Sequence, residues 1–461
     1  MAEACVQLSC GTDGLVCIDG RGHSRELESA PEAHDRGGEI NRTEVATMID
    51  QWERNVPVYD VPIWTRPFIG LCGLGGLAIL FVTYRELAGL GPASGMNDAY
   101  AWGIWKTFNT MTLTGLGSGA FAIGVAAWLF KKKNLHVVMR TACLTSFLAY
   151  LSGLALLGVD VGRPWNFYWV FTPWRWNLHS PLLEVAVCMP TYAMIPLLLE
   201  NFPPFTDWLY SQKPQYRPYV KKSEEIMIRF YPFIVGLAYL LPAMHQSSLG
   251  ALMLLGGDRV YPLWQTPWLP ILYVWAAAFL GFSCVAGTLL FCSLVWKRPI
   301  DRDVLVEMNR ITAGLIGTWL MFRFADILFR GVINLAFKFT IYAGLFWMET
   351  LLLALALWML LDSSRLRDPR LMFHAHLMAA VGGMLYRFDP TTLAFQPKPG
   401  AFYFPTPIEL FISVGFVALA IAAFMFLVKV LAILPAPMRL WYSMEARENK
   451  SQRLAAITAA D

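Results

Sequence analysis

Apolar runs long enough to cross a bilayer dominate this chain. A spanning helix needs about 20 mostly apolar residues. Ten segments qualify: Phe68–Tyr84, Trp102–Phe130, Met139–Val159, Leu182–Leu199, Phe230–Leu255, Pro270–Trp296, Ile311–Phe329, Phe337–Leu361, Leu371–Leu385 and Ile408–Leu434. The ninth is short and the weakest of the set. Interior Gly and Pro do not exclude any of them, because neighbouring helices re-satisfy the freed backbone groups. The pattern predicts an all-α, polytopic integral membrane protein. Residues 1–60 are polar and carry no apolar core of the signal-peptide kind. They read as a cytoplasmic extension in which only Thr43–Arg54 could form a short helix. Residues 61–435 form the membrane domain, and 436–461 a cytoplasmic tail.

Composition supports this reading. Apolar residues make up 56% of the 461 positions and charged residues only 15%, against about 25% charged in ordinary soluble domains. So few charges cannot coat a soluble globule, which also excludes a disordered chain, a coiled coil and a nucleic-acid binder. The net charge is only +4, so the placement of charge matters more than its sum. The even-numbered loops carry fifteen Lys and Arg and the odd-numbered ones seven, counting Arg387 among the latter. The excess of positive charge marks the cytoplasmic side, so both termini are expected there, with the odd loops facing outward. Five of the eight cysteines lie in apolar segments, where Cys behaves as a small hydrophobe. Cys5, Cys10 and Cys17 are irregularly spaced and make no complete metal site; none is expected.

Ionisable residues inside the bilayer are costly, at least about 2.5–3.5 kcal/mol each at its centre, and so are functional candidates. Most fall in the outer half: Lys106, Glu184, His245, Arg323, Asp326 and Glu409, with Glu349 nearer mid-membrane. Several have simpler readings. Arg323 and Asp326, three apart on one face, suit a structural ion pair; Glu409 suits the interface; Lys106 can snorkel outward. The run His245-Gln246-Ser247-Ser248 places four consecutive polar side chains in an apolar helix. They cannot all face lipid, so the stretch should line a cavity. Glu184 has no opposite charge in its own helix, so it pairs across helices or stays protonated, and it suits proton transfer. Thr112, Thr114 and Ser118 are further relay candidates.

Two chemistries are missing. No nucleotide-binding glycine loop is present, and a bis-histidine haem needs two histidines at matching depth, whereas His245 has no evident mate. The outward segments 162–181 and 256–269 are dense in Trp, Pro, Asn and Arg. Interfacial anchoring alone needs less, so a folded cap that docks a partner is expected.

The run LPAMHQSSLGALM (241–253) followed by YPLWQT (261–266) resembles the membrane subunits of hydrogenase-2-type nickel–iron hydrogenases, within the NrfD/polysulfide-reductase membrane-subunit family. AWGIWKTFN (101–109), VDVGRPWNF (159–167), LLEVAVCMPTY (182–192), FRFADILFR (322–330), FWMETLLL (346–353) and YFPTPIELFISVGF (403–416) agree with it. The resemblance covers roughly residues 60–435. It implies ten helices in two four-helix bundles plus flanking helices, with no haem. It implies a subunit in the bacterial inner membrane that passes electrons to menaquinone or ubiquinone. The implied partners are the large and small subunits of a NiFe hydrogenase and a ferredoxin-like iron–sulfur subunit, which hold the NiFe centre and the iron–sulfur clusters.

Carried onto this chain, the resemblance matches Glu184 to a proton-transfer carboxylate. His245 and Gln246 match the family's His-Gln pair, and Asp160 and Arg163 its external DxGR turn. Asn109 and Thr288 stand where some relatives carry acids, which bears on any proton path.

Quinone reduction consumes two electrons and two protons at an apolar pocket with a few polar groups. His245, with Gln246 or Ser247, is expected to hydrogen-bond a quinone carbonyl. Asp160 and Arg163 would shape the outer lip, Glu184 would exchange protons, and Glu349 would relay them. Alternatives are the quinone subunit of a polysulfide or nitrite reductase, a secondary transporter, or a passive anchor.

Overall fold

The computed structural model describes residues 55–58, 62–100, 103–296, 301–362, 368–396 and 400–435, together with the backbone of a short N-terminal hairpin. The chain divides into two units, Met1–Asp50 and Gln51–Asp461. In the first, β1 (Val16–Ile18) pairs antiparallel with β2 (Ser24–Glu26), Cys17 opposite Arg25. Cys5, Cys10, the helix expected over Thr43–Arg54 and the tail after 435 lie outside the described residues.

Ten long helices, among the described residues, make up the second unit. They are α1 (Arg66–Ala88), α2 (Trp105–Leu129), α3 (Met139–Asp160), α4 (Pro181–Gln212) and α5 (Arg217–Leu254). The chain continues through α6 (Leu269–Trp296), α7 (Arg302–Phe329), α8 (Ile341–Leu361), α9 (Pro369–Phe388) and α10 (Pro407–Val430). All except α9 are long and apolar enough to span a membrane. At about 1.5 Å per residue, the 20 residues of α9 still reach about 30 Å. Arg370, His374, His376 and Arg387 dilute its apolar character. It accommodates the buried two, His376 and Arg387, because it packs along α8 and α6, whereas Arg370 and His374 are exposed near its start.

Helices α2–α5 form one bundle and α6–α9 a second, with α2 and α5 packed on α6 and α9 reaching α2. Helices α1 and α10 pair with each other, and α10 also lies along α3. Small residues permit these crossings, as expected where lipid removes most of the hydrophobic drive between helices. A Cβ on Gly281 would stand 2.6 Å from the Gly119 backbone nitrogen, so α2 and α6 meet backbone to backbone. The membrane unit also reaches slightly upstream of the apolar segments: β3 (Asn55–Val56) pairs with β4 (Leu434–Pro435), and Val58 is buried.

The two aromatic loops differ. Residues 164–175 wind through two short 3-10 turns whose largest rings face out, Trp165, Phe171 and Trp174 being 70%, 71% and 79% exposed. The loop is nevertheless ordered from within: Trp176 Nε1 donates to Val170 O, and Arg175 stacks over Trp169. The 256–269 loop instead folds inward, burying Val260, Leu263 and Trp264 and bridging Val260 to Phe395. Of these two loops, only the first leaves a cluster of large rings exposed.

Candidate functional site: a sealed polar core and its outer rim

Helix α2 is irregular. It winds as a π-helix over Trp105–Leu113 and breaks at Gly117–Ser118. Wide turns of this kind free carbonyls from the regular ladder and recur at functional sites. Here the freed carbonyl of Met111 accepts Arg387 Nη1 at 2.7 Å. The same nitrogen donates to Gln246 Oε1 at 2.7 Å, and Nη2 donates to Tyr273 O at 2.5 Å. The guanidinium also lies 4.8 Å from the Tyr273 ring centre. Gly115 makes room for it, since a Cβ there would stand 3.0 Å from the guanidinium carbon.

The run 245–248 radiates from α5 in four directions. His245 Nε2 meets Thr114 Oγ1 at 3.3 Å, while its Nδ1 is buried without a partner among the described residues. Gln246 Nε2 donates to Tyr150 Oη at 3.1 Å and to Thr114 Oγ1 at 3.3 Å. Ser248 Oγ donates to Glu184 Oε2. Ser247 points elsewhere and lines an apolar cavity of about 500 Å³ between α2, α5, α6 and α7. The expectation that this run lines a cavity thus holds at Ser247. His245, Gln246, Thr114 and Arg387 are fully buried, so the structure as it stands does not expose His245 to lipid. Trp275 lines the same cavity, and its indole nitrogen has no partner among the described residues. Thr112, Thr114 and Ser118 all donate back into α2, to Thr107 O, Thr110 O and Thr114 O.

At the rim of this core, Glu184 sits exposed in the first turn of α4. Asp160 closes α3, buried, with Lys106 Nζ 3.0 Å away; Lys106 therefore pairs rather than only snorkelling outward. Arg85 Nη2 fixes the following turn by donating to Val161 O. Arg163 is exposed, so the two residues of the DxGR turn do different things. Glu409, expected at the interface, lies in the first turn of α10 and is enclosed by protein. It completes a capping box with Thr406 and accepts from Gly95 N and Tyr403 Oη. Burial, and next the Glu409 charge, hold the Tyr403 phenol above its ordinary range.

A second polar group lies in the other bundle, and it corrects the expected Arg323–Asp326 pair. Arg323 pairs across to Glu349 of α8, whereas Asp326 binds Arg330 at 2.8 Å and accepts from Thr266 Oγ1. Arg323 finds its partner on the facing helix, while Asp326 finds a closer-fitting one four residues on, at the cap of its own helix. Trp264 Nε1 donates to Glu349 Oε2 at 3.2 Å, and Arg323 lies over Tyr386, Trp319, Phe346 and Trp264 at 4.5–5.9 Å. Arg387, counted from sequence as an outer-loop cation, is in the last turn of α9 and fully buried. Sequence reasoning missed Arg387, Tyr150, Tyr273 and Asp389. The remaining buried histidines are structural: His376 Nε2 bonds Asn309 at 2.7 Å, and His136 packs edge-on against Trp128. Among the described residues no cluster of His, Cys, Asp or Glu could hold a metal ion.

Comparison with known proteins accords with this architecture. The family model described as "Polysulphide reductase, NrfD" matches residues 92–389. The chain is 34% identical over 372 residues to the "Probable Ni/Fe-hydrogenase 2 b-type cytochrome subunit" of Escherichia coli K12, covering 80% of this chain and 91% of that one. It is 30% identical over 258 residues to the "Menaquinone reductase, integral membrane subunit" of Nitratidesulfovibrio vulgaris, covering 54% of this chain and 58% of that one. The matched region takes in both bundles and the polar core between them: this chain belongs to the NrfD family of multi-pass membrane subunits of oxidoreductase complexes.

Proposed function

We propose that the chain is the haem-free, quinone-reactive membrane subunit of a periplasm-facing nickel–iron hydrogenase complex in the bacterial inner membrane, with both termini cytoplasmic. The observation that carries this reading is the apolar cavity of about 500 Å³ whose Ser247 is covalently next to the sealed His245–Gln246–Arg387 core. Quinone sites combine an apolar cleft of a few hundred Å³ with few polar groups, and a menaquinone or ubiquinone headgroup fits at the Ser247 and Trp275 end. Its isoprenoid tail would run along Phe121, Val125, Phe130 and Ile311. Trp275 Nε1, without a partner among the described residues, is the donor at hand for a carbonyl, and Ser247 Oγ joins it only by leaving Met244 O, to which it donates at 2.9 Å. His245 and Gln246 stand behind the ring, held by Thr114, Tyr150 and Arg387, and fix the field and proton supply at that wall.

Glu184, exposed and bonded through Ser248 to the turn that holds His245, exchanges protons at the outer rim. Asp160 and Lys106 brace that rim from inside, and exposed Arg163 faces the docked partner. The aromatic 164–175 loop receives the iron–sulfur subunits, and electrons enter from there. Both buried membrane histidines commit Nε2 to protein partners, which does not suit a bis-histidine haem. If protons cross from the cytoplasmic side, each stores about 2.3 kcal/mol per 100 mV. The hydrogenase partner is favoured over another iron–sulfur reductase because similarity to the hydrogenase 2 subunit spans nearly all of that relative.

Filling the cavity tests the site. Ser247→Phe in the purified complex should abolish quinone reduction while electron delivery from the catalytic partner to a soluble dye continues. Normal quinone turnover in that variant would refute the site.

A further inference from the structure

Beyond the quinone pocket, the second bundle holds a charge arrangement that does not balance as ordinarily ionised side chains. Arg323, Glu349 and Asp389 are all buried, within 3% of complete enclosure for the Arg323 and Glu349 side chains. Arg323 and Trp264 both serve Glu349. The Asp389 carboxyl lies within hydrogen-bonding reach of the Glu349 carboxyl. Yet neither Asp389 oxygen receives a hydrogen bond from an N–H or O–H donor among the described residues. Two carboxylates in contact, away from water, cannot both stay ionised, and a buried acceptor with no donor is costly. One cation, Arg323, offsets only one of the two. A single proton between the acids resolves the conflict, as a carboxylic O–H donating to a carboxylate.

The neighbours of this pair are equally informative. Tyr386 and Tyr273, whose ring centres are 5.8 Å apart, are buried, and both hydroxyls are without a partner among the described residues. Tyr386 stacks against Arg323, and Tyr273 against Arg387. Arg387 in turn holds Gln246. The groups facing the acids are thus Arg323 from α7, Trp264 from the 256–269 loop, Tyr273 from α6 and Tyr386 from α9, with Arg387 beyond Tyr273. Asp326 is occupied by Arg330. The two phenol rings lie between Arg323, which pairs with Glu349, and Arg387, which holds Gln246, and a phenol passes a proton by accepting one on oxygen while releasing its own.

We propose that Glu349 and Asp389 share one exchangeable proton, and that Tyr386 and Tyr273 convey it between this acid pair and the first-bundle core, where His245 Nδ1 is a base without a partner among the described residues. On release, Asp389–COOH becomes a carboxylate, each phenol accepts a proton as it gives up its own, and His245 Nδ1 takes the last one to become an imidazolium; on uptake the reverse occurs. No electron is involved. That the proton serves quinone chemistry rests on the proposed function; the shared proton itself does not.

Infrared spectroscopy of the wild-type complex tests the pair. With carboxyl-¹³C-labelled Asp and Glu, a neutral-carboxyl C=O stretch should persist at pH 8, where an unperturbed carboxyl is fully ionised, and should shift in D₂O. Asp389→Asn and Glu349→Gln should each remove the same band. Absence of the band in wild type, or its survival in both variants, overturns the acid pair. Tyr386→Phe should slow hydrogen–deuterium exchange of the band at least tenfold; an unchanged rate overturns the phenol path. A band that ignores added quinone would leave the acid pair standing and refute its link to the quinone site.

Discussion

Replacing Arg387 by Met separates a structural from a functional role for the sealed core. The guanidinium supplies three hydrogen bonds, to Met111 O, Gln246 Oε1 and Tyr273 O. Met removes all of them at similar length. Each orphaned buried acceptor costs about 1–3 kcal/mol, a loss of about 3–9 kcal/mol in total. Against that, a buried cation whose hydrogen bonds go to neutral carbonyls carries a desolvation penalty of several kcal/mol, which Met relieves. The two effects largely cancel, so the variant should assemble with a melting temperature close to wild type. Function has no such compensation. Gln246 loses the donor that fixes its carbonyl and keeps only Tyr150 and Thr114. Quinone turnover should therefore fall at least tenfold, equivalent to about 1.4 kcal/mol in the barrier, while electron delivery to a soluble dye is retained. The assay compares the two acceptors on one preparation, with melting followed in parallel. Full quinone turnover in a normally melting complex would show that Arg387 does no more than fill space.

Two other substitutions probe the same geometry. Gly115→Ala places a methyl 3.0 Å from the Arg387 guanidinium; overpacking of this kind costs about 1–3 kcal/mol, so lower thermal stability and slower quinone turnover should appear together, and loss of neither would contradict the packing described. Glu184→Gln keeps a partner for Ser248 but removes the ionisable group at the outer rim. Hydrogen-to-quinone turnover should be abolished with dye reduction intact, and unchanged turnover would remove Glu184 from the proton path.

The helices were legible because a bilayer imposes one length and one polarity on whatever crosses it. Helix α9 was the hard case, since two histidines and Arg387 interrupt it, and its enclosure by α6 and α8 is a tertiary fact. The same weakness hid the centre of the site: a cation at the end of a faint span looks like a loop cation. The run 245–248 was legible because four adjacent polar groups have no place in hydrocarbon. Which of them would line the cavity was not, because that depends on the neighbours of α5, and only Ser247 does. The Arg323–Asp326 pairing failed because Glu349 lies on another helix, while Arg330, four residues on from Asp326, was an equally local partner. Glu409 could have been recognised: Thr406 followed by Glu409 is a capping box written plainly in the sequence. Gly115 gave no signal, because its role is only to leave room for a side chain 272 residues away.

The claim that a quinone occupies the cleft beside Ser247 is tested most directly by photolabelling the intact complex with an azidoquinone and mapping the adduct by mass spectrometry. Labelling concentrated on Phe121–Phe130, Ser247 and Pro270–Ala278, and suppressed by excess natural quinone, is the predicted result. Competable labelling confined to residues outside that cleft would contradict it.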